Sequence, residues 1–278
     1  MPRRRRLVAS GFSRKKNSLL ALVLMAGVAG AHVLAQGRGR GAAAPAVSAR
    51  AGAPADFTGY WVSVVTEQWH LRMLVPPKGD FSLIPLNGEA RKIADAWDPA
   101  KEPAGNECAA YGAAAIMRVP GRLNIHWADD NTLQVDTDAG TQTRLFRFAA
   151  AAGPAPSERS ESRGDQAPGW QGYSVAAWER TARGRAEGPA TFGRLRVTTT
   201  RMRPGYLRRN GVPYSGNAIV QEHFERFSEP NGDAWLVVTG IVTDPQYLTQ
   251  PYVTTVHFKK VPDKAGWDPT PCRPTEAR

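Results

Sequence analysis

From Arg122 onward the chain keeps returning to one pattern: a short run rich in β-branched and aromatic residues, closed by turn residues. Arg122–Trp127, Thr132–Thr137 and Gln142–Phe148 are separated by Asp129-Asp130-Asn131 and Asp138-Ala139-Gly140. Gln171–Glu179, the two arms of Gly193–Phe227, Ala234–Thr243 and Tyr252–Lys259 continue the series, and Tyr60–Leu74 precedes it as one long strand or a strand pair. Turns this short return a chain antiparallel to itself, so the spacing predicts a mainly β fold, an antiparallel barrel or sandwich of about nine strands. One short helix is expected, over Asn87–Trp97. Asn87 can cap it, and Ala90, Ile93, Ala94 and Trp97 form an apolar stripe before Asp98-Pro99 ends it. Both faces of Trp235–Thr243 are apolar, which predicts cover on both sides, by the helix among other elements.

Within this series Gly193–Phe227 reads as a long-looped hairpin whose more apolar faces each carry one charge. Leu195, Val197, Thr199 and Arg201 share one face, and Ala218, Val220, Glu222 and Phe224 share the other. Closing the hairpin around Asn210-Gly211 predicts Arg201 and Glu222 opposite or diagonal to each other. Facing a cavity, Arg201 would anchor a ligand carboxylate or enolate while Glu222 orients it or acts as base; otherwise they are a structural ion pair.

The two ends of the chain set the compartment. Seven basic residues and no acidic one lie within Met1–Lys16, and the nearly continuous apolar run Leu19–Ala35 follows. This is the order of an export signal over residues 1–35, with cleavage after Ala35 or, almost equally well, after Ala31. A membrane anchor is the competing reading, but the run is at the short limit for a span, so no stable membrane span is expected after cleavage. Residues 36–55, built from Gly, Ala, Pro and Arg, read as a disordered linker, and 56–278 as a single β-rich domain with an exposed insertion over 149–168. The net charge of +11 belongs largely to these leading segments: beyond residue 55 there are 26 basic and 25 acidic residues. A body this close to neutral argues against nucleic acid as a partner. The only cysteines, Cys108 and Cys272, are expected to form a disulfide in an exported chain, and their separation excludes zinc-type spacing.

Gly59-Tyr60-Trp61, at the start of the first strand, resembles the G-x-W signature of lipocalins, whose tryptophan packs across one end of an up-and-down barrel that holds a small apolar ligand. Most of Asp56–Pro262 resembles a group of uncharacterised exported bacterial proteins with a lipocalin-like β-rich domain. The resemblance runs through the Cys-containing loop before Met117-Arg118, Trp170–Glu179, Glu222 with Phe224-Glu225-Arg226-Phe227, and Asp244-Pro245 with Thr249 and Pro251. That group implies fold and an exported, periplasmic or extracellular location, and no reaction. The early helix and the additional strand depart from true lipocalins.

Signatures of common catalytic sites are missing: there is no G-x-S-x-G elbow, H-E-x-x-H helix or phosphate-binding glycine loop. No metal and no cofactor is expected. Arg201, Glu222 and His223 are the candidate catalytic residues, His223 because Glu222 and Glu225 flank it. Arg201 and Glu222 with Trp170, Tyr173, Trp178, Tyr206 and Tyr214 are the candidate ligand-binding residues, since aromatic rings offer apolar area with a polar tip. Arg203–Ser215 is long enough to form a lid. The expected function is binding of a small, largely apolar ligand. The alternatives are a cofactor-free hydrolase, lyase or isomerase in the same shell, and an envelope interaction module without a cavity.

Overall fold

The computed structural model describes residues 47–148, 168–180 and 193–273. The expected export signal over residues 1–35, the first part of the expected linker and most of the expected 149–168 insertion lie outside these residues. Eleven strands occur among the described residues: β1 Gly59–Val64, β2 Arg122–Asp129, β3 Thr132–Thr137, β4 Gln142–Phe148, β5 Tyr173–Arg180, β6 Gly193–Thr200, β7 Gly205–Arg208, β8 Val212–Tyr214, β9 Ile219–Ser228, β10 Ala234–Thr243 and β11 Tyr252–Val261. Nine of them close into a barrel in the order β1-β11-β10-β9-β6-β5-β4-β3-β2, while β7 and β8 pair only with each other. Barrel, not sandwich, is therefore the architecture. The sheet is mixed, because β4 and β5 run parallel where an all-antiparallel ring was the expectation. Around a closed ring of odd number, alternating strand directions must coincide once. They do so across the long connection after Phe148, which has the length a crossover needs.

The helix at Asn87 forms as α2, Gly88–Ala96, with the Asn87 side chain accepting from the Ala90 amide at 2.9 Å. Tyr60–Leu74 is not one strand or a strand pair. β1 stops at Val64, and a single helical turn, α1 Trp69–Arg72, follows Gln68, whose backbone is left-handed. α2 packs mainly against β8, and the outer face of β10 stays partly exposed instead of covered. Residues 47–55 are docked rather than loose. The Ala49 amide donates to Asn131 Oδ1 (2.9 Å), and Trp178 Nε1 donates to the Ala49 carbonyl (2.8 Å).

Alternation decides what fills the barrel. Leu123 and Ile125, Leu133 and Val135, Phe146, Leu195 and Val197, Phe224, Leu236 and Val238, and Val256 and Phe258 all point inward and are buried. Trp61 lies fully buried among them, with its indole N–H donating to the Phe57 carbonyl at 3.0 Å. Phe57, Trp127, Phe148 and Trp178 stack across the same end, with centroids 4.9 to 6.4 Å apart. At the opposite end, here called the mouth, the segment Ala109–Arg118 folds into two 3₁₀ turns and sends Ile116 and Met117 into the interior. A second core cluster sits over the mouth, built from Leu207, Val212 and Tyr214 of the β7–β8 hairpin with Ile84, Leu86, Ala90 and Tyr252. Cys108 and Cys272 are bonded, which ties the C-terminal tail to the mouth. No helix among the described residues is long and apolar enough to cross a membrane.

Candidate functional site

Glu222 is inside the barrel, as its face requires, and is 2 % exposed. Its partner is Arg144 of β4. Nη1 donates to Oε1 at 2.8 Å and Nη2 to Oε2 at 2.6 Å, a bidentate pair reaching across the lumen. Nη2 also lies 3.4 Å from Thr199 Oγ1, which in turn is 2.8 Å from Ser174 Oγ. The expected Arg201–Glu222 pairing is corrected. In the actual register Val197 stands opposite Glu222, β6 ends at Thr200, and Arg201 has a left-handed backbone (φ 56°) that breaks the alternation and leaves it exposed. A signal for Arg144 was present, since it shares a face with Phe146 and Phe148, but Leu145 makes both faces of that strand look alike.

The other candidates scatter. His223 alternates with Glu222 and so lies on the outer face, its Nδ1 3.6 Å from Glu179, which also binds Arg194 and Arg196. Trp178 belongs to the aromatic stack at the closed end. Tyr173 packs against the Arg147 guanidinium outside the barrel (5.0 Å), and Trp170 against that of Arg203 (4.2 Å). Tyr206 donates to Glu102 at 3.0 to 3.1 Å, and burial first, then that carboxylate, push its phenol well above the usual range. Tyr214 is core, and its phenol is raised by burial. The expected aromatic pocket is therefore not assembled, because each ring is held by a different set of neighbours: Trp178 in the closed-end stack, Tyr173 on the outer wall, Trp170 on Arg203, Tyr206 on Glu102 and Tyr214 in the second core. Arg203–Ser215 is no open lid either. It folds into β7–β8 and is largely buried, with Arg208 and Asn210 bonded to the carbonyls of the Pro77–Ser82 loop.

The cavity beside Glu222 is small, about 20 Å³, and is lined by Ala113–Ala115, Met117, Gly240 and Thr254. That is room for about one water. Arg118 separates it from a larger cleft of about 220 Å³ at the mouth, walled by Glu67, Gln68, Arg72, Thr255 and His257. Two guanidiniums meet there: Arg72 is 3 % exposed and Arg118 9 %. Arg72 Nε donates to the Arg118 carbonyl at 3.0 Å, and Nη1 is paired with Glu67. Arg118 donates to Tyr252 Oη and, at 2.8 Å, to Gln68 Oε1. His257 Nδ1 is 3.3 Å from the second Glu67 oxygen. Arg72 Nη2 is buried without a partner. Burial, and then the like charge of Arg118, draw the Arg72 guanidinium below its ordinary value against the pull of Glu67. Burial raises the Glu67 carboxyl, but Arg72 and the hydrogen bonds it accepts hold it lower overall. No sequence pattern marks either arginine, because Arg72 ends a one-turn helix and Arg118 a 3₁₀ turn, both too short for a periodicity that assigns a face.

Among the described residues no group of three or more His, Cys, Asp or Glu is placed to hold a metal ion. Comparison with protein-family models, with curated proteins and with solved structures finds no match.

Proposed function

We propose that this protein is an exported, lipocalin-like binder, periplasmic or extracellular, whose small ligand is anchored through an anionic group at the mouth of the barrel. The observation that carries the reading is the meeting of buried Arg72 and Arg118 beside an open cleft of about 220 Å³, with Glu67 as the one carboxylate on its wall. Positive charge is expensive to bury unless it is paired. An incoming carboxylate or phosphate supplies the missing charge and an acceptor for Arg72 Nη2, and guanidiniums bind such groups with directional, charge-assisted bonds. The basic start of the chain, the apolar run after it and the disulfide support export. This reading moves the ligand from the lumen, where a largely apolar molecule was the expectation, to a polar site outside it.

The test is titration calorimetry with benzoate, inorganic phosphate and the neutral benzamide. At least one anion binds, benzamide does not, and Arg118→Gln loses the binding while its melting curve shows a folded protein. Equal binding by the variant, or by benzamide, overturns the reading. One observation favours a second reading, an interaction module without a ligand cavity: only about 20 Å³ remains open beside Glu222. It is distinguished by the absence of any saturable small-molecule binding. An enzyme acting through Glu222 and His223 has little to stand on, since the two lie on opposite faces of β9 and Arg144 occupies both Glu222 oxygens.

A further inference from the structure

The mouth cleft lies along the edge of a strand. β11 pairs with β10 from Tyr252 to Lys259, but with β1 only from His257 to Val261. β1 stops at Val64, opposite His257, and the chain turns away toward α1. Val253–Val256 are therefore laddered on the β10 side alone. Val253 faces outward, as does Thr255, which meets Thr239 on the outer wall, while Thr254 lines the small cavity beside Glu222. The cleft touches all three, which places it along the edge and not on either face. Alternate residues of a strand send N–H and C=O to the same side, so this stretch presents donors and acceptors to the place β1 has vacated.

The two ends of the open edge differ in charge. Arg118 marks the Tyr252 end, through its bond to Tyr252 Oη, and Glu67 the His257 end, 3.3 Å from His257 Nδ1. We propose that the cleft binds the C-terminus of a partner polypeptide, whose last few residues take up the β1 position as a short strand on β11. The inference rests on the anion-binding reading of the mouth and identifies the anion as a terminal α-carboxylate. Direction follows from charge. A segment antiparallel to β11, as β1 is, runs toward Tyr252 and delivers its carboxylate to Arg118 and to the unpartnered Arg72 Nη2. A parallel segment would set that carboxylate against Glu67. The open edge spans about 10 Å, and with a cleft of about 220 Å³ it suits a few residues, not a long strand. An alkyl or aryl acid fills the carboxylate seat but offers the edge no hydrogen bonds.

Calorimetry at fixed salt compares the peptide Ac-Gly-Val-Thr-Val-Val, its C-terminal amide, N-acetylvaline, and two forms of the peptide N-methylated at the last or the next-to-last residue. The peptide should bind at least about tenfold more tightly than N-acetylvaline, the worth of two ordinary hydrogen bonds. The C-terminal amide should not bind, and Arg118→Gln should lose the peptide. One N-methylated form should keep its affinity and the other lose about tenfold, because only alternate N–H groups face β11. Hydrogen exchange should slow within Val253–Val256 at saturation. Equal affinity for the peptide and N-acetylvaline overturns strand addition and leaves the anion seat standing, as does full affinity in both N-methylated forms. Binding of benzoate with no peptide bound also refutes it. Failure of every acid, benzoate and phosphate included, removes the mouth reading as well.

Discussion

Arg144 and Glu222, 78 residues apart in the chain, form a bidentate ion pair across the interior of the barrel, at 2.6 and 2.8 Å. The strands that carry them, β4 and β9, are separated by β5 and β6 in the ring, so the pair braces two walls of the barrel instead of one ladder. Removing one partner leaves a buried charge uncompensated. Glu222→Leu or Arg144→Met alone should destabilise by about 3–5 kcal/mol, and the double variant that combines these two apolar replacements should recover much of that loss. Urea denaturation of the two single variants and the double variant measures it. Losses that simply add would mean that the two residues are not coupled.

The disulfide holds the tail against the mouth. Reduction, or Cys108→Ser with Cys272→Ser, should lower stability by about 2–5 kcal/mol, since the bond closes a loop spanning 164 positions. Cleavage at low protease concentration should then appear first near Trp267–Cys272. An unchanged melting temperature under reductant counts against this.

Two glycines with positive φ make a matched pair. A Cβ at Gly211 (φ +80°) would lie 2.1 Å from the Trp97 ring, whereas one at Gly232 (φ +89°) meets nothing within 4 Å. Gly232→Ala should therefore show only the backbone strain of that conformation, about 1 kcal/mol. Gly211→Ala adds overpacking against an aromatic ring pinned by Glu102, and should lose at least about 2 kcal/mol more. Equal losses would mean that the loop yields freely.

Glu67 makes the mouth sensitive to acid. Its folded carboxyl lies below the ordinary 4.5, so its contribution to stability is fully present above that pH and is lost as pH falls through the lower folded value. Glu67→Gln should flatten the stability curve on the acid side, as pH falls below the ordinary carboxylate value. Thermal melts across pH 3–8 for both proteins test this, and parallel curves would argue against it.

Much of the fold is legible in residue order alone. Alternation in β2, β3, β6 and β9 assigns an inner face, the turns delimit the strands, and Asn87 with the Ala90–Ala94 stripe announces α2. These are local signals, each carried by the two-residue period of a strand or the capping chemistry of a helix. The inward placement of Glu222 was readable for the same reason. Its partner was not. Which wall of a closed ring faces which depends on strand order and register, and the sequence close to Glu222 pointed to Arg201 while Arg144 lay on β4, with β5 and β6 in between. Arg72 and Arg118 were hidden more completely, because a one-turn helix and a 3₁₀ turn carry no period long enough to mark a buried face. The chain by itself determined a mainly β fold of about nine strands, barrel or sandwich, with a short helix at Asn87 and a pair of cysteines, and the closure into a barrel came from tertiary structure. Only tertiary structure decided that Ile116 and Met117 fill the lumen and that the arginines gather at the mouth, since burial of charge is a property of neighbours brought together by long-range closure.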